Sequence, residues 1–252
     1  MAPPLAPASL WKHSSHRMIN LTHRSYKKEL LDNDDIPFDD IKQNMRELNI
    51  INTKLGGHAI TIKGLRKIIS GISNKNKLHI CEIGCGGGDN LEAIDKFCKK
   101  NNLSVTFTGI DIKSECIAYA KQQYPQLDAD WMTTDYRLAD FNNQKPDIIF
   151  SSLFCHHFTD EELVYMLQWM KSNASAGFFI NDLHRHLLAY FSIKWITAAF
   201  SKSYLVKNDA ALSVARGFKK KEWKNIFKKA GIKNYSISWQ WAFRHLVTCK
   251  NG

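Results

Sequence analysis

The run Glu82-Ile83-Gly84-Cys85-Gly86-Gly87-Gly88-Asp89-Asn90 is the feature that most constrains what this chain can fold into. It completes a short apolar stretch, Leu78 to Ile83, and leads at once into a segment whose apolar residues Leu91, Ile94, Phe97 and Cys98 share one helical face. A strand that passes through glycines into a helix opens a βα unit. Glycines at 84, 86 and 88 let the backbone turn tightly and approach a ligand that any Cβ would push away. The helix beyond them presents unpaired N–H groups to an anionic moiety. The sequence therefore predicts a nucleotide-type ligand at the carboxyl end of this strand.

The rest of the chain agrees with that opening. After Asn76, short apolar runs alternate with helical periods, which predicts a mainly parallel sheet. Strands are expected over Leu78 to Ile83, Val105 to Ile110, Asp130 to Thr133, Asp147 to Ser151 and Gly177 to Ile180. One helix runs from Ser114 to about Tyr124, before Pro125. Another opens on the capping box Thr159-Asp160-Glu161-Glu162 and buries Leu163, Met166, Leu167 and Met170. Leu187 to Phe200 reads as an apolar helix, Ser201 to Gly217 as a long connection without periodicity, and Lys219 to Ala230 as a helix ended by Gly231. Tyr235 to Lys250 alternates as a terminal antiparallel pair. Ahead of the sheet, Ile41, Met45, Leu48, Ile51 and Leu55 mark an amphipathic helix with Asp39 placed to cap it. A second carries Leu65, Ile68 and Ile69, with Gly71 closing it. The division expected is a leader over residues 1–17, an N-terminal helical cap over 18–75 and the main domain over 76–252. The leader, with Pro3, Pro4 and Pro7 and no acid, reads as disordered. It is either a transit-like segment or an added leader ahead of a native start at Met18.

Composition narrows the class. With 44% hydrophobic and 23% charged residues in 252, neither wholesale disorder nor a fibrous chain fits. Leu187 to Phe200 is broken by Lys194 and falls short of the roughly 20 residues that span a bilayer, so no transmembrane helix is expected. The six cysteines include no Cys-x-x-Cys pair. They read as reduced thiols in a cytoplasmic protein, and no metal is expected. A net charge of +11 admits nucleic acid, an anionic membrane surface or an acidic ligand, beside the plainer reading of a solvated basic surface.

Spacing discriminates among nucleotide ligands. Dinucleotide binders place a third glycine three residues after the second, where Asp89 stands here, and a P-loop needs a Gly-Lys-Ser/Thr that is absent. What remains, acidic-x-Gly-x-Gly-x-Gly, resembles the first motif of class I S-adenosylmethionine-dependent methyltransferases. The second strand ends in Gly109-Ile110-Asp111, where a carboxylate can accept hydrogen bonds from both ribose hydroxyls. Thr134-Asp135-Tyr136 and Asp147-Ile148-Ile149-Phe150-Ser151-Ser152 match the family's next motifs, so the resemblance covers about residues 60 to 250. It implies a doubly wound, mostly parallel, seven-stranded Rossmann-like α/β sheet and S-adenosyl-L-methionine as cofactor. Cofactor contacts are expected from Glu82, Gly84, Cys85, Gly86, Gly88, Asn90, Asp111, Ile112, Asp135, Tyr136, Ser151 and Leu153. Asp135 would meet the adenine amino group, or else serve as a plain turn aspartate, and Glu82 would meet either the methionine ammonium or the backbone of its own loop. Ser114 is expected to cap the helix after Asp111, which frees that carboxylate.

Methyl transfer is an in-line displacement, so alignment of the acceptor contributes most, about 7–11 kcal/mol against roughly 10²–10⁴-fold from a general base. Candidate bases are His156 and His157 after the fourth strand and His184 after the fifth, and an imidazole suits a phenolic or enolic proton. In an extended segment only one of the adjacent histidines faces the cleft, and His156 is favoured; the alternative for either is a structural bond to a backbone carbonyl. Asp182, Arg185, Tyr190 and Arg216 are the expected acceptor wall, with an Arg185–Asp182 bridge as the structural alternative. The run from Asn181 to Phe218 is similar to methyltransferases of aromatic polyketide pathways and, more distantly, of quinone pathways. The expectation is therefore methylation of a small phenol, enol or quinol, oxygen ahead of carbon. Nucleic acid is not the expected partner, since Ser151-Ser152-Leu153-Phe154 replaces the Asn/Asp-Pro-Pro-Tyr segment that grips a flipped base. Cofactor binding without turnover is the remaining rival, and the sequence leaves the oligomeric state open.

Overall fold

The computed structural model describes residues 20–72, 77–141 and 144–251, so the expectations for the leader over 1–17 lie outside the described residues. Successive strand residues point to opposite faces, and here both faces are covered. Ile80 and Cys81 are fully buried, as are Ile148 and Ile149, and Phe178 and Phe179. Such continuous apolar runs belong to a sheet sandwiched between helices.

The strands are β1 (Leu78–Ile83), β2 (Val105–Asp111), β3 (Ala129–Thr133), β4 (Ile148–Ser152), β5 (Gly177–Leu183), β6 (Ser236–Gln240) and β7 (Arg244–Lys250). They form one seven-stranded sheet in the order β3-β2-β1-β4-β5-β7-β6. β1 to β5 run parallel, while β7 is antiparallel to both β5 and β6. The strand order reverses between β1 and β4, and in an open α/β sheet a ligand crevice opens beyond the carboxyl ends of the strands at that reversal.

The helices among the described residues are α1 (Phe38–Lys54), α2 (Gly57–Ile69), α3 (Asp89–Lys100), α4 (Ser114–Gln123), α5 (Asp160–Asn173), α6 (Leu187–Phe200), α7 (Tyr204–Arg216) and α8 (Lys220–Lys229). On one face Leu163 and Met166 of α5 and Trp223 and Phe227 of α8 pack with Cys81, Ile149 and Phe178. On the other, Leu65 and Ile68 of α2 and Leu91 and Ile94 of α3 pack with Ile80, Phe150 and Phe179. α2 thus lies directly on the sheet. A Cβ on its Gly64 would come within 2.5 Å of the Phe179 ring, so glycine there sets how closely helix and sheet approach. Of the N-terminal pair, α1 rises over the crevice. No helix of the described residues is long and apolar enough to cross a membrane.

Three local expectations are corrected. α1 begins at Phe38 with Pro37 at its cap position, so Asp39 lies in its first turn and does not cap it. Ser201 to Gly217 is not a long connection: Ser203 accepts the N–H of Val206 and caps α7. α7 buries Leu205, Val206, Ala211, Val214 and Ala215 together with the polar Asp209 and Arg216, so its sequence lacks the contrast between apolar and polar faces that marks a surface helix. α4 is capped by Lys113 and not by the Ser114 side chain, which bonds Glu115 instead.

Candidate active site

A cavity of about 550 Å3 occupies the crevice beyond β1 and β4. Its base is the glycine loop, and its walls come from α1 (Met45, Leu48), α6 (Ile193, Ile196), α7 (Val206, Ser213) and the β6–β7 hairpin.

The loop has two kinds of glycine. Gly84 has φ +66°, and a Cβ there would lie 2.2 Å from the Phe154 ring, so this glycine is required by close packing. Gly86, at φ +50°, has only the Met45 sulfur within 4 Å of where its Cβ would lie, at 3.5 Å, so its backbone is open to the cavity. The Gly86 N–H donates to Asp111 Oδ2 at 2.8 Å and the Lys113 N–H to Oδ1 at 2.9 Å. Asp111 therefore ties the loop to the end of β2, and each oxygen keeps a lone pair for a ligand hydroxyl. Burial pushes its carboxyl up, opposed by those two N–H groups and by Lys113 and His157.

Glu82 is fully buried. Its Oε1 accepts from Asn90 Nδ2 at 3.0 Å, and Oε2 has no hydrogen-bond partner among the described residues. Burial, with Asp89 and Asp111 nearby, pushes this carboxyl well above the usual range; Glu82 stands behind the cavity lining, and its partner Asn90 is part of it. Cys85, Ile112 and Leu153 also line the cavity, Leu153 with a left-handed backbone at φ +54°. Gly88, also left-handed at φ +80°, caps α3 against Trp131.

Other expected cofactor residues stand outside it. Asp135 bonds the Arg137 backbone and side chain, which lower its carboxyl. Tyr136 is buried edge-on against Phe158 and Trp169, and Ser151 Oγ sits 3.3 Å from Cys155 Sγ.

The opposite wall is built on histidines. His156 and His157 do not alternate along an extended segment; they lie in the 3-10 turn Cys155–His157 with ring centroids 4.4 Å apart, and both line the cavity. His156 Nδ1 meets Asp182 Oδ1 at 2.8 Å, and His157 Nδ1 meets Asp32 Oδ1 at 3.0 Å. Each carboxylate fixes its ring so that Nε2 faces inward, toward Glu29, at 3.6 Å from His156 and 3.8 Å from His157. The His157 side chain is 21% exposed and that of His156 3%. Burial raises Glu29 to about 7, against the lowering effects of His157, a 2.8 Å bond from Ser213 Oγ, and Arg216. Burial opposes the ionised form of Asp32 too, but the bond and charge of His157, the Glu29 N–H and Arg216 outweigh it and hold Asp32 at about 2. Asp182 is likewise lowered: burial works against its charge, and His156 more than compensates. Glu29, His156 and His157 together have a donor set that can hold a metal ion. The Arg216 guanidinium, with Nε 3.8 Å from Glu29 Oε1, already supplies positive charge there.

The expected acceptor residues mostly support this wall from behind. Asp182 orients His156 and is fully buried. Arg216 donates to the carbonyls of His156 and His157 at 3.0 and 2.9 Å, clamping the turn. Arg185 pairs with Glu222 and not with Asp182, and it also donates to backbone carbonyls of Leu21, Thr22 and Gly217. Tyr190 is half-buried against Phe191 outside the cavity lining. His184 stacks among His186, His245 and Phe243, where burial, His186 and Arg185 lower its pKa.

Glu29, Asp32 and Arg244 are among the lining residues that escaped the sequence reading. Glu29 and Asp32 come from a segment with no periodicity, brought in when Arg24 donates to Asp160 and to the Phe158 carbonyl. Arg244, 2% exposed at the start of β7, has neither Nε nor Nη1 in a hydrogen bond, and burial lowers its pKa to about 10. An arginine beginning a buried strand is the signal that was there to be read.

Comparison with known proteins fits this arrangement. Residues 80–177 match a family model described as a methyltransferase domain. Among solved structures, the plantazolicin methyltransferase BpumL, in complex with a triazolic desmethylPZN analog and SAH, is 17% identical, with 85% of this chain and 92% of that chain covered at a TM-score of 0.63. The magnesium protoporphyrin IX methyltransferase ChlM from Synechocystis PCC 6803, with bound SAH, is 16% identical over 78% of this chain and 84% of that one, at a TM-score of 0.52. The CMeT domain of the citrinin polyketide synthase is 13% identical over 73% of this chain and 49% of that one, at 0.54. No curated protein matches the chain significantly in sequence.

The chain carries a methyltransferase domain and has the class I methyltransferase fold. S-adenosyl-L-methionine is the cofactor of that class, and the residues present fit it: an open glycine backbone at Gly86, free lone pairs on Asp111, and the unpartnered buried donors of Arg244.

Proposed function

We propose that this protein transfers a methyl group from S-adenosyl-L-methionine to the oxygen of a small, largely apolar phenol, enol or quinol. The observation that carries this reading is that one cavity joins the glycine loop and Asp111 to the inward-facing Nε2 atoms of His156 and His157.

When bound, the cofactor supplies an electrophilic methyl carbon on a sulfonium. Asp111 would hold the ribose hydroxyls, Gly86 would let the loop backbone approach, and Arg244 with the start of α3 would hold the methionine carboxylate. Met45, Leu48, Phe154, Ile193, Ile196 and Val206 give the acceptor an apolar bed that orients it and excludes water. His157 is the base because its ring is the more accessible of the pair. Asp32 accepts the Nδ1 proton, so Nε2 keeps its lone pair for the acceptor hydroxyl proton. Taking up that proton at Nε2 would free the acceptor oxygen to receive the methyl group that the cofactor supplies. The products are the methyl ether, S-adenosylhomocysteine and a protonated histidine that returns its proton to water.

The test is calorimetry with S-adenosylhomocysteine, then mass spectrometry of products from a panel of phenols, enols and quinols. His157→Ala should leave cofactor affinity unchanged and lower turnover by about 10²–10⁴-fold. Tight cofactor binding with no O-methylated product across the panel would overturn the assignment.

A further inference from the structure

α6 is an apolar helix turned outward. Only its Ala189 and Thr197 are buried, and Leu188, Phe191 and Trp195, spaced three and four apart, form an exposed stripe, with Phe200 exposed separately at the last turn. Trp195 is 74% and Phe200 84% exposed. Trp241, 72% exposed at the tip of the β6–β7 hairpin, borders the same cavity mouth as Ile193 and Ile196 of α6. A contiguous outward patch of this kind on a protein of otherwise ordinary composition marks a contact surface.

Charge decides what it contacts. From Leu187 to Lys221 the single acidic residue is Asp209, which is buried and bonded to the N–H groups of Leu30 and Leu31. Lys194, Lys202 and Lys207 are exposed around the stripe. Glu47 accepts the backbone N–H groups of Lys202 and Ser203, and Asp40 is engaged by Tyr204. Tryptophan and leucine ringed by lysine is the composition of helices that lie in a bilayer interface, whereas the cores of protein–protein interfaces are depleted of lysine. The net charge of +11 acts in the same direction over the whole molecule.

We propose that α6 and the Trp241 hairpin seat this protein peripherally on an anionic lipid bilayer, with the α6 stripe at the acyl boundary and the lysines at the headgroups. The inner side of α6, through Ala189, Ile193 and Ile196, is the cavity wall, so an acceptor dissolved in the lipid lies one helix from the site. That last consequence rests on the acceptor reading above; the bilayer contact does not.

The experiment is co-sedimentation of the full chain with vesicles of phosphatidylcholine alone and of phosphatidylcholine with phosphatidylglycerol, at low and high salt. Binding to the anionic vesicles should exceed binding to the neutral ones by about tenfold and weaken with salt. Joint Trp195→Ser and Phe200→Ser substitution should lower it by about tenfold or more, with S-adenosylhomocysteine affinity unchanged as proof of an intact fold. Should that pair disturb folding, Lys202→Glu with Lys207→Glu, both on the surface, should remove the anionic preference. The proposal is overturned if neither vesicle pulls down the chain, or if both variant pairs bind like the parent. A dimer in ultracentrifugation that the Trp195→Ser, Phe200→Ser pair dissociates would overturn it too, since a second copy then covers the patch. None of these outcomes touches the methylation reading, which is judged by product.

Discussion

Replacing Glu29 by glutamine tests the electrostatics of the histidine wall without altering its shape. Glu29 is raised from an ordinary 4.5 to about 7, chiefly by burial. The folded chain keeps this proton where the unfolded chain has released it. Folding therefore takes up protons between these two values, and stability falls as pH rises through that window. A carboxyl moved that far loses about 3 kcal/mol by pH 8, at about 1.4 kcal/mol per tenfold, and most of the loss develops above pH 5. Glutamine does not titrate and can still accept the Ser213 hydroxyl. Titrations common to both chains cancel when the two are compared. The melting temperature of Glu29→Gln relative to the parent should therefore climb by roughly 5–10 °C between pH 5 and pH 8, since 1 kcal/mol is worth about 2–4 °C in a domain of this size. Differential scanning fluorimetry in matched buffers measures it. A difference that stays flat across the range would refute a buried, proton-holding Glu29, as would one of opposite sign.

Asp111→Asn should weaken S-adenosylhomocysteine binding by about 10–100-fold in calorimetry, because a charge-assisted acceptor for ligand hydroxyls is worth roughly 1.5–3 kcal/mol; unchanged affinity would remove Asp111 from the pocket. Gly84→Ala puts a methyl 2.2 Å from the Phe154 ring at a left-handed φ of +66° and should cost about 2–4 kcal/mol, read as a lower urea midpoint. A midpoint equal to the parent's would mean that Phe154 is free to move aside.

Elements with strong local patterns were readable in advance. β1, β4 and β5 stood out as apolar runs between turn signals, and the Thr159 capping box marked the start of α5. α7 was not readable, since a helix enclosed on several sides, with Asp209 and Arg216 buried in it, shows no amphipathic period. The glycine loop and Asp111 were legible because their chemistry depends on spacing within one βα unit. Glu29 and Asp32 were not: their segment is anchored by Arg24 on Asp160 and the Phe158 carbonyl, more than a hundred residues away, and no local rule encodes such a meeting. Having both histidines at the cavity depends on the 3-10 turn at Cys155–His157, which overrides the alternation an extended strand would impose.

The segment matching the methyltransferase model ends at residue 177, yet the groups facing the histidines come from either side of it, Glu29 and Asp32 before and Ser213 and Arg216 after. On the reading proposed above, the nucleoside contacts of Gly86 and Asp111 and the part of the acceptor wall that surrounds the histidines are thereby written in separate stretches of chain. Evolution, or an engineer exchanging residues 20–36 and 204–216 between homologues, can retarget the second while leaving the first alone.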